Sequence, residues 1–233
     1  MNSGMKKSLI TLVAVAVVAM AIVIVGPVIY RIFTAEGPRT GEIDMSVAEP
    51  ATTDRNGTWH VAAGDYTNNT SVGFTFAELL PGSERVTSGS THDVTGEFIV
   101  KNDELVDGQA IVDMTTLRSD IEKRDINVRM KIFSTDVYPE AKFEVAGKTD
   151  LSVVPDSGEA VDIKVPGRLT IRGVTNDVEV PLKVMRSADK FMMSGNLKIN
   201  RLDYNVRTPD FVAASVDEEG EVNLRFVLTK DEQ

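Results

Sequence analysis

From Val72 to the end of the chain, apolar residues return at every second position in one segment after another: Val72, Phe74 and Phe76, then Val94 to Val100 with Phe98, then Ala141, Phe143 and Val145. The pattern continues through Val161, Ile163, Val165, Leu169 and Ile171, through Val178 to Val184, through Phe191, Met193, Leu197 and Ile199, and through Val222, Leu224, Phe226 and Leu228. Period two marks a strand with one apolar face, and the Arg, Lys, Glu and Asn residues in between mark the other face as solvated. Adding strands around Trp59 and over Glu104 to Asp113, eight or nine strands are expected. Long alternating strands joined by turns form a barrel or a sandwich, and periodicity does not separate the two. Strand length, together with Gly96, Gly108, Gly167 and Gly195 at positions where strands can bend, favours a lipocalin-like antiparallel β-barrel of about eight strands.

One segment breaks the alternation. Between Met114 and Phe143, IEKRDINVRMKIF is made of helix-compatible residues, Ser119 or Asp120 stands where a cap is needed, and Tyr138-Pro139 stops the helix before strand pattern resumes. The fold class is therefore all-β with a short helical insertion, which would cover an open end or form a side wall of the barrel.

Leu9 to Tyr30 is uncharged, and at about 1.5 Å per residue it reaches roughly 33 Å, enough to span a bilayer. Lys6 and Lys7 precede it and only Arg31 follows closely, which places residues 1–8 in the cytoplasm and the domain outside. Cleavage at Ala19-Met20-Ala21 would leave the apolar IVIVGPVIY exposed, so 9–30 is read as a retained signal-anchor helix. Residues 31–57 lack periodicity and are rich in Gly, Pro, Thr and acidic residues, the composition of a flexible linker. The barrel domain is expected over 58–230.

The formal charge is −10, and residues 1–38 carry +2 of it, leaving −12 on the remainder. That excludes a phosphate-binding surface and so a nucleic-acid partner, and disfavours anionic head groups. The absence of cysteine excludes disulfides and thiolate chemistry. His60 and His92 have no carboxylate cluster at ligand spacing, so no metal site is expected. The nucleophile elbow and the phosphate-binding P-loop are also missing, and no enzyme activity or cofactor is expected. Asp217 to Glu221 reads as a solvated acidic turn, Gly173 to Asp177 as a hairpin turn, and Asn56, Asn68 and Asn69 as loop asparagines.

Three stretches resemble the YceI-like, or polyisoprenoid-binding, family: Lys123-Arg124-Asp125 followed by Asp136-Val137-Tyr138-Pro139-Glu140-Ala141-Lys142-Phe143, then Gly167 to Thr175, then Ile199-Asn200-Arg201-Leu202-Asp203-Tyr204. The front of the domain, WHVAAGDYTNNTSVGFTFAELL, lacks the family's usual D-P-x-H-S and is similar to membrane-anchored actinobacterial members. The resemblance implies an extended barrel outside the cytoplasm whose apolar interior binds an isoprenoid, such as a quinone, or a similar lipid chain. Under it, Phe74, Phe76, Phe98, Phe143, Ile163, Leu169, Ile171, Met193, Leu197 and Phe226 line the ligand, with Met192 and Met193 able to adapt to a flexible chain. Arg124 and Asp125 are gate or fastening residues of the helical segment, and Arg201 and Asp203 an ion pair. The alternative is a barrel filled by its own side chains, serving as a structural or interaction module of the cell envelope. Oligomeric state is left open.

Overall fold

The structure, a computed structural model, describes residues 15–16, 18–26, 37–80, 83–119, 121–208 and 215–230. Two units are distinguished, 1–35 and 36–233. In the first, residues 18–26 are helical. Among the described residues no helix is long and apolar enough to cross a membrane, and half of the expected 9–30 span lies outside them.

The second unit holds eleven strands: β1 (Gly57–Ala62), β2 (Ser71–Leu80), β3 (Ser83–Thr91), β4 (Val94–Lys101), β5 (Glu104–Asp113), β6 (Glu140–Val145), β7 (Thr149–Asp150), β8 (Val161–Ile171), β9 (Val174–Ser187), β10 (Lys190–Asn200) and β11 (Ser215–Lys230). Eight of them close in the order β1-β4-β5-β6-β8-β9-β10-β11, and β11 returns to β1, all antiparallel. Closure leaves no free edge in that ring. β11 is long enough to serve two neighbours: Val227 to Lys230 pair with β1, while Ser215 to Arg225 pair with β2. The β2–β3 hairpin therefore takes over from the short β1 along one half of the barrel. β3 was not foreseen because SERVTSGST has almost no apolar alternation.

Hairpin turns alternate between two ends. One end gathers the β4–β5 and β9–β10 turns; the other gathers the β8–β9 turn, the start of β11 and the whole β5–β6 connection. The β8–β9 turn consists only of Arg172 and Gly173, with φ of 50° and 74°, the paired left-handed conformation of a tight hairpin. Thr175 to Asp177 belong to β9 rather than to the expected longer turn. Asp217 to Glu221 likewise lie within β11, at a register shift between Val216 and Gly220, because pairing with β2 and β10 outweighs the local turn composition.

The β5–β6 connection is helical, though not as one helix. A short 3₁₀ turn (Met114–Thr116) leads to an α-helix (Glu122–Asn127) that continues as a π-helix (Val128–Phe133). Its N-cap is Ile121, without a side-chain cap bond; Ser119 instead donates through both N and Oγ to Asp125 at 2.6 Å, and Asp120 lies outside the described residues. The helix ends at Ser134, in the left-handed region with φ 53°, before Tyr138-Pro139 is reached. The wider turn places Val128 and Phe133, five residues apart, together on the buried side.

Residues 37–56 correct the expectation of a flexible linker. They run across the outside of the barrel, from Gly37 beside Ser88 and Ser119 to Ala51 bridging Ala188. On the way Arg39 pairs with Glu221 at 2.9 Å, Thr40 and Ser71 share a hydrogen bond of 2.8 Å, and the Ile43 and Glu49 amides donate to Ser194 and Ser187. Asn68, only 1% exposed, accepts from the Asp44 amide and donates to its carbonyl. Ile43 of this strap packs with Met185, Met192 and Val227 in a small second core. Polar composition concealed the segment because its fixing points are backbone amides, which carry no sequence signature.

Candidate functional site

The inward faces of the strands enclose an apolar cavity rather than a filled core. All ten residues expected to line it do so: Phe74, Phe76, Phe98, Phe143, Ile163, Leu169, Ile171, Met193, Leu197 and Phe226. The lining also includes Trp59, Met114, Leu117, Phe133, Arg201, Tyr204 and Val206, which lay outside the expected set. Trp59 stood on a recognised strand; Met114 and Leu117 come from the 3₁₀ turn and its C-cap, and Phe133 from the π-helix, whose wider turn no periodicity reveals. Met192 points the opposite way from Met193, under the strap, as neighbours on a strand must.

Glycines keep the interior open. Phenylalanine rings lie over the backbone of facing glycines instead of projecting across the barrel: a Cβ added at Gly220 would stand 2.2 Å from the Phe76 ring, at Gly108 2.5 Å from Phe98, at Gly167 2.2 Å from Phe143 and at Gly89 3.0 Å from Phe74. Of the four glycines expected to allow bends, Gly108 and Gly167 thus seat rings, while Gly96 and Gly195 face the backbone carbonyls of Gln109 and Pro181. Four large rings are accommodated against the wall, and the axis stays free.

The space open to the centre of a water-sized sphere is about 150 Å³. Its lining reaches from Trp59 and Phe191 at one end of the barrel to Phe133, Tyr204 and Val206 at the other.

The two ends differ. At the β9–β10 end Trp59 and Phe191 meet edge to face, centroids 4.6 Å apart at 80°. Lys230 Nζ stands 5.0 Å from the Trp59 ring centroid and the Arg186 guanidinium carbon 5.5 Å from that of Phe191. Arg186 also bonds Asp156 and the Thr53 carbonyl. These edge-to-face rings and the cations over them form a plug.

The opposite end is built from smaller, separate pieces. Phe133 packs against Phe74 at 5.8 Å, and Arg172 joins the pieces by donating to the Asn205 carbonyl and to Ser134 Oγ. Burial pushes the Tyr204 phenol pKa up, which keeps it neutral over the ordinary pH range. Arg201, 9% exposed, does not pair with Asp203; it donates to the carbonyls of Asp217, Val206 and Val216 at 2.8–3.1 Å and so fastens the 3₁₀ turn Arg201–Tyr204 to β11. Asp125 fastens the helical segment through Ser119, and Arg124 is half-buried beside it. Among the described residues no group of His, Asp or Glu is arranged to hold a metal ion.

Comparison with known proteins agrees with this geometry. BcnA of Burkholderia cenocepacia superposes with a TM-score of 0.52 at 20% identity, covering 68% of this chain and 94% of BcnA. A polyisoprenoid-binding domain from Saccharophagus degradans, implicated in plant cell wall breakdown, superposes with a TM-score of 0.53 at 16% identity over 73% of this chain and 97% of that domain. At these identities the likeness concerns the fold. A search of the curated proteins finds no match. The family model for the YceI-like domain matches residues 65–228, from the turn before β2 to the last residues of β11, and the chain therefore belongs to the YceI-like family.

Proposed function

We propose that the barrel holds one long apolar lipid, a polyisoprenoid, isoprenoid quinone or fatty-acyl chain, as a binding or carrier protein that performs no chemistry on it. A single observation carries this reading: the apolar cavity whose lining reaches from Trp59 and Phe191 at the plugged end to Phe74, Phe76 and Phe133 at the other. Removing a chain from water contributes about 25 cal/mol per Å² of apolar surface, so few polar contacts are needed for tight binding. The polyisoprenoid-binding relative from Saccharophagus degradans supports an isoprenoid among these chains. The uncharged run 9–30, with Lys6 and Lys7 before it, supports a single-pass anchor with the barrel outside the cytoplasm. Ligand enters at the end formed by the helical segment, because the other end is plugged by the edge-to-face Trp59–Phe191 pair.

Native mass spectrometry of the detergent-extracted full chain from its own host tests this. One bound lipid per chain is expected; protein with no lipid mass would refute it and leave the barrel as a structural module of the envelope.

A further inference from the structure

The end formed by the helical segment carries exposed apolar side chains that the barrel itself does not use. Ile126 and Met130, four residues apart on the helical segment, are 50% and 49% exposed, and Val137 63%. Tyr138 lies over Gly173 in the β8–β9 turn and is still part exposed. Leu79 and Val86, on the outer face of the β2–β3 hairpin, extend the same end. Among the described residues of the barrel unit, the other exposed large apolar ones, Met45, Val47, Tyr66 and Val153, are scattered over the flank and the plugged end. Single exposed apolar residues are ordinary, but a group around the entrance of an apolar channel marks an interaction surface.

Two further observations select the partner. First, the chain enters the barrel unit at this end: Gly37 lies against Ser88 of β3 and Ser119 of the helical segment. In the sequence only residues 31–36 separate that point from the apolar run 9–30, and six residues reach at most about 20 Å. Second, the β5–β6 connection carries little net charge within an acidic domain: across 114–139, Arg118, Lys123, Arg124, Arg129 and Lys131 against Asp120, Glu122, Asp125 and Asp136 leave +1. A nearly neutral apolar rim suits a zwitterionic bilayer interface, whereas the −12 carried by residues 39–233 opposes an anionic one.

We infer that this rim docks on the membrane, with Ile126, Met130, Val137 and Tyr138 in the interface, so that a lipid passes from bilayer to channel without crossing water. The inference rests on the anchoring and lipid-binding reading above, and deepens it by naming the surface through which the ligand is exchanged.

The chain has no cysteine, so Met130→Cys and, at the plugged end, Ser157→Cys each give a unique labelling site. The full-length variants, carrying an environment-sensitive fluorophore, are reconstituted in phosphatidylcholine nanodiscs containing doxyl-labelled lipid. Several-fold stronger quenching at position 130 than at 157 is expected, weakening when phosphatidylglycerol replaces part of the phosphatidylcholine. Equal quenching at the two positions overturns the docking, and so does quenching that grows with anionic lipid, which would make the contact electrostatic. Lipid mass measured on the same extracted samples tests the binding reading separately: bound lipid with equal quenching refutes the docked surface alone.

Discussion

Gly220→Ala is the sharpest probe of how the channel stays open. The glycine lies on β11 opposite Phe76, and an added Cβ would meet Phe76 Cδ1, Cε1 and Cγ at 2.2, 2.3 and 2.7 Å, with no backbone atom among those three. Ordinary contact begins near 3.4 Å, so the ring must retreat by about 1.2 Å, and the direction left to it is inward. Replacing glycine in a strand recovers about 0.5–1 kcal/mol of backbone entropy, while overpacking costs about 1–3 kcal/mol. The net effect on stability is then modest, about 0–2.5 kcal/mol of destabilisation. The effect on the ligand is larger relative to its cause: a ring shifted into so narrow a channel displaces one or two methylenes of a bound chain, each worth about 0.8 kcal/mol. Affinity falls by about tenfold. Lipid occupancy by native mass spectrometry, paired with thermal unfolding, reads both quantities. The double variant Gly220→Ala/Phe76→Ala supplies the control, since alanine lacks the Cγ and Cδ1 atoms that meet the new methyl and occupancy returns. Full occupancy in the single variant, or no recovery in the double one, would refute the account of rings seated on glycines.

Other expectations follow from the same geometry. Ala110→Phe, at a buried cavity-lining position of β5, fills the channel; lipid mass disappears while a cooperative unfolding transition is retained, and unaltered lipid content would count against the channel as the binding site. Trp59 is the only tryptophan and lines the cavity, so a brominated lipid bound in the barrel quenches intrinsic fluorescence, whereas undiminished emission at saturation places the lipid elsewhere. Asp125→Ala removes the acceptor of two bonds from Ser119, each charge-assisted bond being worth about 1.5–3 kcal/mol. Amide hydrogen exchange over 121–133 then accelerates by about 100-fold or more with β8 and β9 unchanged, and Asp125→Asn falls between; uniform acceleration across the barrel would show that the segment is not an independent unit. The Asp65 carboxyl pKa is lowered by the Asn68 backbone amide, and that of Asp54 by the Asn56 amide. Since a depressed pKa means a contribution present above the unfolded-state value and lost as pH falls through the folded one, these turns loosen only below the ordinary Asp range, near pH 3.8. Asp65→Asn removes that acid sensitivity from the 65–68 turn, seen by NMR; loosening at neutral pH in the wild type would contradict the assignment.

The alternation of Phe74 and Phe76, of Ile163 to Ile171 and of Met193 to Leu197 determined by itself which side chains face inward. A strand has only two faces, and one apolar residue in two leaves no choice of orientation. The cavity-lining residues on β2, β4, β6, β8, β10 and β11 were legible for that reason, and so was the helical interruption, from residue type and the absence of period two. Whether those inward faces meet as a filled core or a channel was decided only in three dimensions. It depends on which glycine stands opposite which ring, as Gly220 does to Phe76 and Gly108 to Phe98, and pairing register across strands distant in sequence is invisible in a linear pattern. The same holds for the strap 37–56, held by backbone amides to Ser187, Ser194 and Asn68, and for Arg201, whose partners are carbonyls of β11 and Val206 rather than its neighbour Asp203. Side-chain orientation along a strand is a local property, and the sequence states it; distances between strands and the destinations of backbone hydrogen bonds are set by closure of the barrel, and only the tertiary structure contains them.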